Sequence, residues 1–158
     1  MATDVSNTGL LPSVLDRLLD PASMGPSAGA SLAAVVEAVR RDVEELLNNR
    51  RPVDPELDRY PELSRSVYAY GLPELISLPA ATGPQRDAIG RLVAEAVARH
   101  EPRLRDVRAT VVGAADPADR TIRLRIDGRL RVSPAPGVQF ETVLQLAAGQ
   151  TAVVTKPK

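Results

Sequence analysis

The chain holds one histidine, His100. A histidine-based triad needs a nucleophile beside the imidazole and a third group to orient it. Ser77 and Ser133 are the hydroxyls on offer, and neither sits in a nucleophile motif. His100 stands where a helix is expected to end, and there it has a simpler role, favouring the negative end of the helix dipole. No His or Cys pair occurs at metal-ligand spacing, and no glycine-rich phosphate loop is present. Glycoside hydrolysis needs only two carboxylates, for which Glu101, Asp106, Asp119, Asp127 and Glu141 are candidates. With 20 acidic residues in the chain, some pair will always be close, so this signal carries no specificity. A sugar site also favours aromatic platforms, and the chain has four aromatic residues, Tyr60, Tyr68, Tyr70 and Phe140. The expectation is a chain with no catalytic residue, no metal and no cofactor.

Three other features are more specific. Glu101-Pro102-Arg103 lies at an expected helix-to-sheet junction, where proline fixes the turn and the two charges can pair with each other or with a partner. An arginine row, Arg123, Arg125, Arg129 and Arg131, runs along one strand region, and alternation points Arg123 and Arg125 away from the core. Gln139 and Glu141 on the following strand are expected to face them. That face is either solvated or a charged docking surface for an acidic partner. The third feature is the sheet edge, which invites strand addition when it is open.

Around these residues the elements follow from periodicity and caps. Leu11, Val14, Leu15 and Leu18 form a compact apolar stripe of one or two helical turns, followed by a Pro- and Gly-containing linker. Such a stripe cannot bury itself alone. It docks on its own domain or on a partner. Ser31 is a good N-cap for a helix whose buried face is Leu32, Val35, Val36, Val39, Val43, Leu46 and Leu47, ending near Asn49. Residues 50–81 contain five prolines yet are too apolar for disorder, so an ordered loop wrapping the core is expected, with one short helix over 64–70. Thr82 and Gln85 form a capping-box pattern for a second helix, with Ile89, Leu92, Val93, Ala96 and Val97 buried, stopping near Arg99 or His100. Then the period becomes two. Strands are expected over 105–112, 121–132, 138–146 and 150–154. The fold class is α+β: two main helices on one face of a small, mostly antiparallel sheet, preceded by an N-terminal helical arm. The expected division is arm and linker over 1–30, the α+β domain over 31–154 and a short tail over 155–158.

Composition narrows function. The 158 residues suit one domain. Formal charge is zero, with 20 basic and 20 acidic residues, which argues against a broad field for nucleic acid. The basic residues are arginines except Lys156 and Lys158, and arginine suits planar pairing with carboxylates at interfaces. The absence of cysteine excludes disulfides and thiolate chemistry. No run approaches the roughly 20 apolar residues of a membrane span, and residues 1–10 do not read as a signal peptide. A cytoplasmic protein is expected.

Four segments occur in order: SVLDRLLD at 13–20, RRDVEELLNNRRP at 40–52, SVYAYGLPEL at 66–75 and EPRL at 101–104. On these the chain resembles the TssE family of type VI secretion baseplate subunits, a branch of the phage-tail baseplate wedge proteins often labelled lysozyme-like. The resemblance runs from about Leu11 to Val154. SVLDRLLD points to the secretion branch. The segment around Tyr68-Ala69-Tyr70 departs from the family, where many relatives carry a polar residue before the tyrosine. The resemblance implies a non-enzymatic wedge subunit that links the baseplate to the contractile sheath, assembling with TssF, TssG and TssK and touching TssB/TssC. It implies an assembly role for Glu101, Pro102 and Arg103. Two alternatives stay open: a subunit of a phage-like contractile tail, and a peptidoglycan-cleaving enzyme of the kind the lysozyme label suggests.

Overall fold

The computed structural model of the chain describes residues 18–19, 31–74, 82–116, 121–131, 136–145 and 151–155. The chain divides into two compact units, 1–39 and 40–158, with the division inside the first long helix. That helix, α1, spans Leu32–Asn48. The Ser31 hydroxyl caps it, accepting from the Ala34 N–H at 3.1 Å. Val35, Ala38, Val39, Val43, Leu46 and Leu47 are buried, the stripe that a 3.6-residue period produces. Leu32, placed on that stripe by its spacing, is exposed at the first position of the helix. Leu18 and Leu19 are helical and exposed. Leu11, Val14 and Leu15 lie outside the described residues, as do Leu75, Ile76 and Leu78 of the loop.

The loop after α1 is more regular than its prolines suggest. In place of one helix over 64–70 it holds α2 (Glu56–Arg59), α3 (Pro61–Arg65) and a 3-10 turn (Val67–Ala69). Proline starts these turns rather than breaking them: Pro55 precedes α2 and Pro61 opens α3, where a missing N–H costs nothing. Side chains cap the rest. Asp54 Oδ1 accepts from Glu56 N at 2.9 Å, and Ser66 Oγ accepts from Tyr68 N at 3.2 Å. The segment is only partly a core wrap: Leu57, Ala69 and Leu72 are buried, whereas Val67 and Tyr68 are exposed. It closes on the end of α1. Leu72 N donates to Asn49 O and Arg51 N donates to Leu72 O, both at 2.9 Å. Gly71 permits this approach, with φ at +113° and a Cβ position only 2.6 Å from Asn49 O.

The second long helix, α4, spans Gly83–His100. Gln85 Oε1 accepts from Thr82 N at 3.0 Å, completing the expected capping box. The strands are β1 (Leu104–Asp116), β2 (Thr121–Leu130), β3 (Gly137–Gln145) and β4 (Thr151–Thr155). They form one antiparallel meander in the order β1-β2-β3-β4, so β1 and β4 are its edges. The architecture is α+β. The even-numbered positions from Ile122 to Leu130 on β2 and from Val138 to Thr142 on β3 are buried. β4 ends at Thr155, one residue beyond the expected domain end. Among the described residues no helix is long and apolar enough to cross a membrane.

β1 contains a bulge. Arg105 pairs with Arg129 and Arg108 with Asp127, so Asp106 and Val107 oppose Gly128 alone. Asp106 has φ of +55°, the left-handed region that an aspartate tolerates. The extra residue shifts the phase by one. Leu104 is buried before it, and Val107, Ala109 and Val111 are the more buried set after it.

Helix α4 lies against β1 closely enough that Gly90 is required, since a Cβ there would stand 2.5 Å from Ala109 O. Gly90→Ala gains about 1 kcal/mol of helix propensity, but forcing the helix off backbone costs about 1–3 kcal/mol. We expect a net loss of stability and a Tm lower by several degrees in a thermal melt. An unchanged or raised Tm would show that the helix can move away from β1 at little cost.

Candidate functional site

Glu101-Pro102-Arg103 forms the first three residues of the turn that carries the chain from α4 into β1. Glu101 ends the helix, its N–H donating to Val97 O at 2.8 Å, and its own carbonyl accepts from Leu104 N at 3.1 Å. Pro102 thus occupies the second position of a four-residue turn, the place its fixed φ suits. Pro102 is exposed at the apex, while Glu101 beneath it is only 4% exposed.

A carboxylate so buried requires partners, and Arg103 supplies them. Glu101 Oε1 accepts from the Arg103 backbone N–H at 3.0 Å and from Nε at 2.7 Å, and Glu101 Oε2 accepts from Nη2. The same Nη2 donates to Asp42 Oδ2 on α1. The Arg103 carbonyl accepts from Arg131 N at 2.8 Å, and Arg131 Nε donates to Leu104 O at 3.2 Å. One arginine therefore ties together α1, the end of α4, and the β1–β2 pair. Its hydrogen bond to Glu101 drives the guanidinium pKa further up, outweighing the downward push of burial. The two charges that the sequence places beside Pro102 pair with each other, and the pair is not a solvated one. The third member, Asp42, gave no signal: it lies 61 residues away, among charges on the polar side of its helix.

Beside the triad, Tyr70 meets the edge of His100, ring centroids 5.3 Å apart at 76°. Burial first, then the charges of Glu45, Asp42 and Glu101, pushes the Tyr70 phenol up to about 12. Burial and then Arg99 push His100 below its usual value, against a hydrogen bond to the Ala69 backbone. Ser77, Ser133 and Asp119 lie outside the described residues. No group of three or more His, Cys, Asp or Glu side chains capable of holding a metal occurs among the described residues.

The family model for baseplate wedge protein gp25 matches residues 33–135, from the first turn of α1 to beyond β2, taking in Asp42, Glu101 and Arg103. The chain belongs to this family. No match was found among curated proteins. Membership places the chain with phage-like baseplate subunits, whose neighbours are other baseplate proteins.

In this wedge protein the arginine row faces outward as its alternation requires. Arg123 is exposed, and Arg125 Nη2 lies 3.6 Å from Glu141 Oε1, its register partner. Gln139 is opposite Asp127 rather than an arginine, and Arg123 is opposite Val143. The arginine row and the Glu101–Arg103 turn meet only at Arg131.

Removing Arg103 leaves Glu101 buried without a counter-charge. Arg103→Ala is therefore expected to cost about 3 kcal/mol, whereas Asp42→Ala, at a partly exposed carboxylate, costs about 1 kcal/mol. Denaturant unfolding of both variants checks this order, and equal small losses would mean that the triad is solvated. A second expectation concerns Tyr70. Its phenol is raised in the folded chain, so the stability it confers is complete below pH 10 and is lost as pH rises through about 12. Tyr70→Phe should remove that alkaline slope, together with the latest-titrating phenolate in an absorbance titration.

Proposed function

We propose that the chain is a structural baseplate wedge subunit of a type VI secretion system, linking the baseplate to the contractile sheath in the cytoplasm. Its partners in this reading are TssF, TssG and TssK in the baseplate and TssB/TssC in the sheath. The observation that carries the secretion branch is SVLDRLLD at 13–20 ahead of the wedge domain. Its apolar stripe, Leu11, Val14, Leu15 and Leu18, is a partner contact in this reading, and Leu18 is exposed in keeping with it. Of the Glu101-Pro102-Arg103 turn, Pro102 presents the apex and the two charges hold it in shape.

The role is non-enzymatic. Two carboxylates, Asp42 and Glu101, do converge, as a glycosidase requires. The group between them is the chain's own Arg103 guanidinium, where a substrate would have to sit. Both Glu101 oxygens are engaged by Arg103, which supports an architectural use of this acid.

Affinity purification of the tagged full chain from its native cells, with identification of what accompanies it, tests the reading. TssF, TssG and TssK are expected. Recovery of phage tail proteins in their place would favour the contractile-tail alternative. Clearing of purified peptidoglycan that is lost in Glu101→Gln would overturn the non-enzymatic role.

A further inference from the structure

The outward face of the sheet gathers more arginine than the alternation of a regular strand allows. On β2, Arg123, Arg125, Asp127 and Arg129 share this face by period-two alternation. On β1, Arg105 and Arg108 are three residues apart, and in an unbroken strand they would point to opposite sides. The bulge at Asp106 and Val107 changes that. Arg105 lies opposite Arg129 and Arg108 opposite Asp127, and both are exposed. Among the described residues the result is five arginines against two carboxylates, Asp127 and Glu141, or three with the exposed bulge residue Asp106.

The pairing within this face is poor. Arg105 and Arg129 are direct cross-strand neighbours of like charge, an arrangement that destabilises a sheet. Among the described residues Arg105, Arg108, Arg123 and Arg129 make no ion pair, and Arg125 reaches Glu141 only at 3.6 Å. A chain with formal charge zero has the acids to neutralise such a face. Here it places fewer acids than arginines there. An anionic surface from outside would supply the missing charge.

We infer that the outward sheet face, centred on Arg105, Arg123 and Arg129, is a docking platform for a carboxylate-rich surface of another protein. Arginine rather than lysine supplies the charge, and its planar fork pairs carboxylates in two-point contacts. The positions on this face carry no aromatic ring on which a base could stack, which favours protein over single-stranded nucleic acid. The inference rests on the proposed assembly role and names the charge of one partner surface.

Poly-L-glutamate is the probe, with duplex DNA and single-stranded DNA as competing polyanions and the full chain as receptor. The full chain is expected to bind poly-L-glutamate, weakening steeply as salt rises, and more tightly than either DNA. The double variant Arg123→Glu/Arg129→Glu should lose about tenfold in affinity. Its Tm should hold or rise, because Arg105 is relieved of a like-charged neighbour. Arg105→Glu/Arg108→Glu serves as the second variant, with the same loss of binding expected. No binding of poly-L-glutamate, equal binding by both variants, or tighter binding of DNA would each overturn the inference. Native-cell purification separates the two readings: baseplate proteins recovered without poly-L-glutamate binding would sink the platform alone, and the converse would sink the assembly role alone.

Discussion

The Arg103 guanidinium, held between Glu101 and Asp42, is the interaction on which the arrangement of this molecule turns. A helix that ends at His100 leaves Glu101 inside the protein, where an unpaired carboxylate costs several kcal/mol. Pro102 stops the helix and sets the turn, and the turn brings Arg103 back over the buried acid. Because the partner is only two residues away, little chain entropy is spent in bringing the pair together. The same Nη2 that meets Glu101 also reaches α1 at Asp42. An apolar cluster of the same size would contribute as much stability or more. What the ion triad adds is direction, since a forked donor accepts only a narrow set of positions for the two acids.

A second constraint acts through the bulge in β1. Leu104 must face inward to pair with Leu130, and so must Val107, Ala109 and Val111 further along. Those positions do not belong to one two-residue period. One extra residue reconciles them. Asp106 takes up the left-handed backbone that the extra residue requires. The same step that rescues the apolar register puts Arg105 and Arg108 on one outer face. A packing requirement of the interior thereby sets the charge pattern outside.

These two features also mark where the sequence stops being legible. Helix starts were readable because the signals are local: Ser31 and the Thr82–Gln85 box act within one turn. The alternation of β2 and β3 was readable because one face is buried throughout. The helical turns over 56–69 were hidden, since each is too short to show a period and is set by single residues: Asp54, Pro61 and Ser66 at their starts. Asp106 carries no glycine to announce a bulge, so β1 read as plain alternation from 105. The pairing of Arg103 with Glu101 was visible as a possibility, because the two flank one proline. Its extension to Asp42 was not, because contacts across 61 residues leave no periodicity. The sheet edges and the face opposite each arginine likewise depend on register, which only the folded chain fixes.

Taken together, the charges separate into two populations with different capacities. Those of the triad are engaged inside the fold: both Glu101 oxygens accept from Arg103, whose backbone N–H, Nε and Nη2 donate to Glu101 and, from Nη2, to Asp42. Groups paired in this way hold a shape. The arginines of the outer sheet are the reverse case: Arg105, Arg108, Arg123 and Arg129 are exposed and make no ion pair among the described residues. In the proposed reading the inner triad holds the form of the wedge subunit, and the outer arginines make its attachments, so the two tasks fall to charges that differ in burial and in pairing.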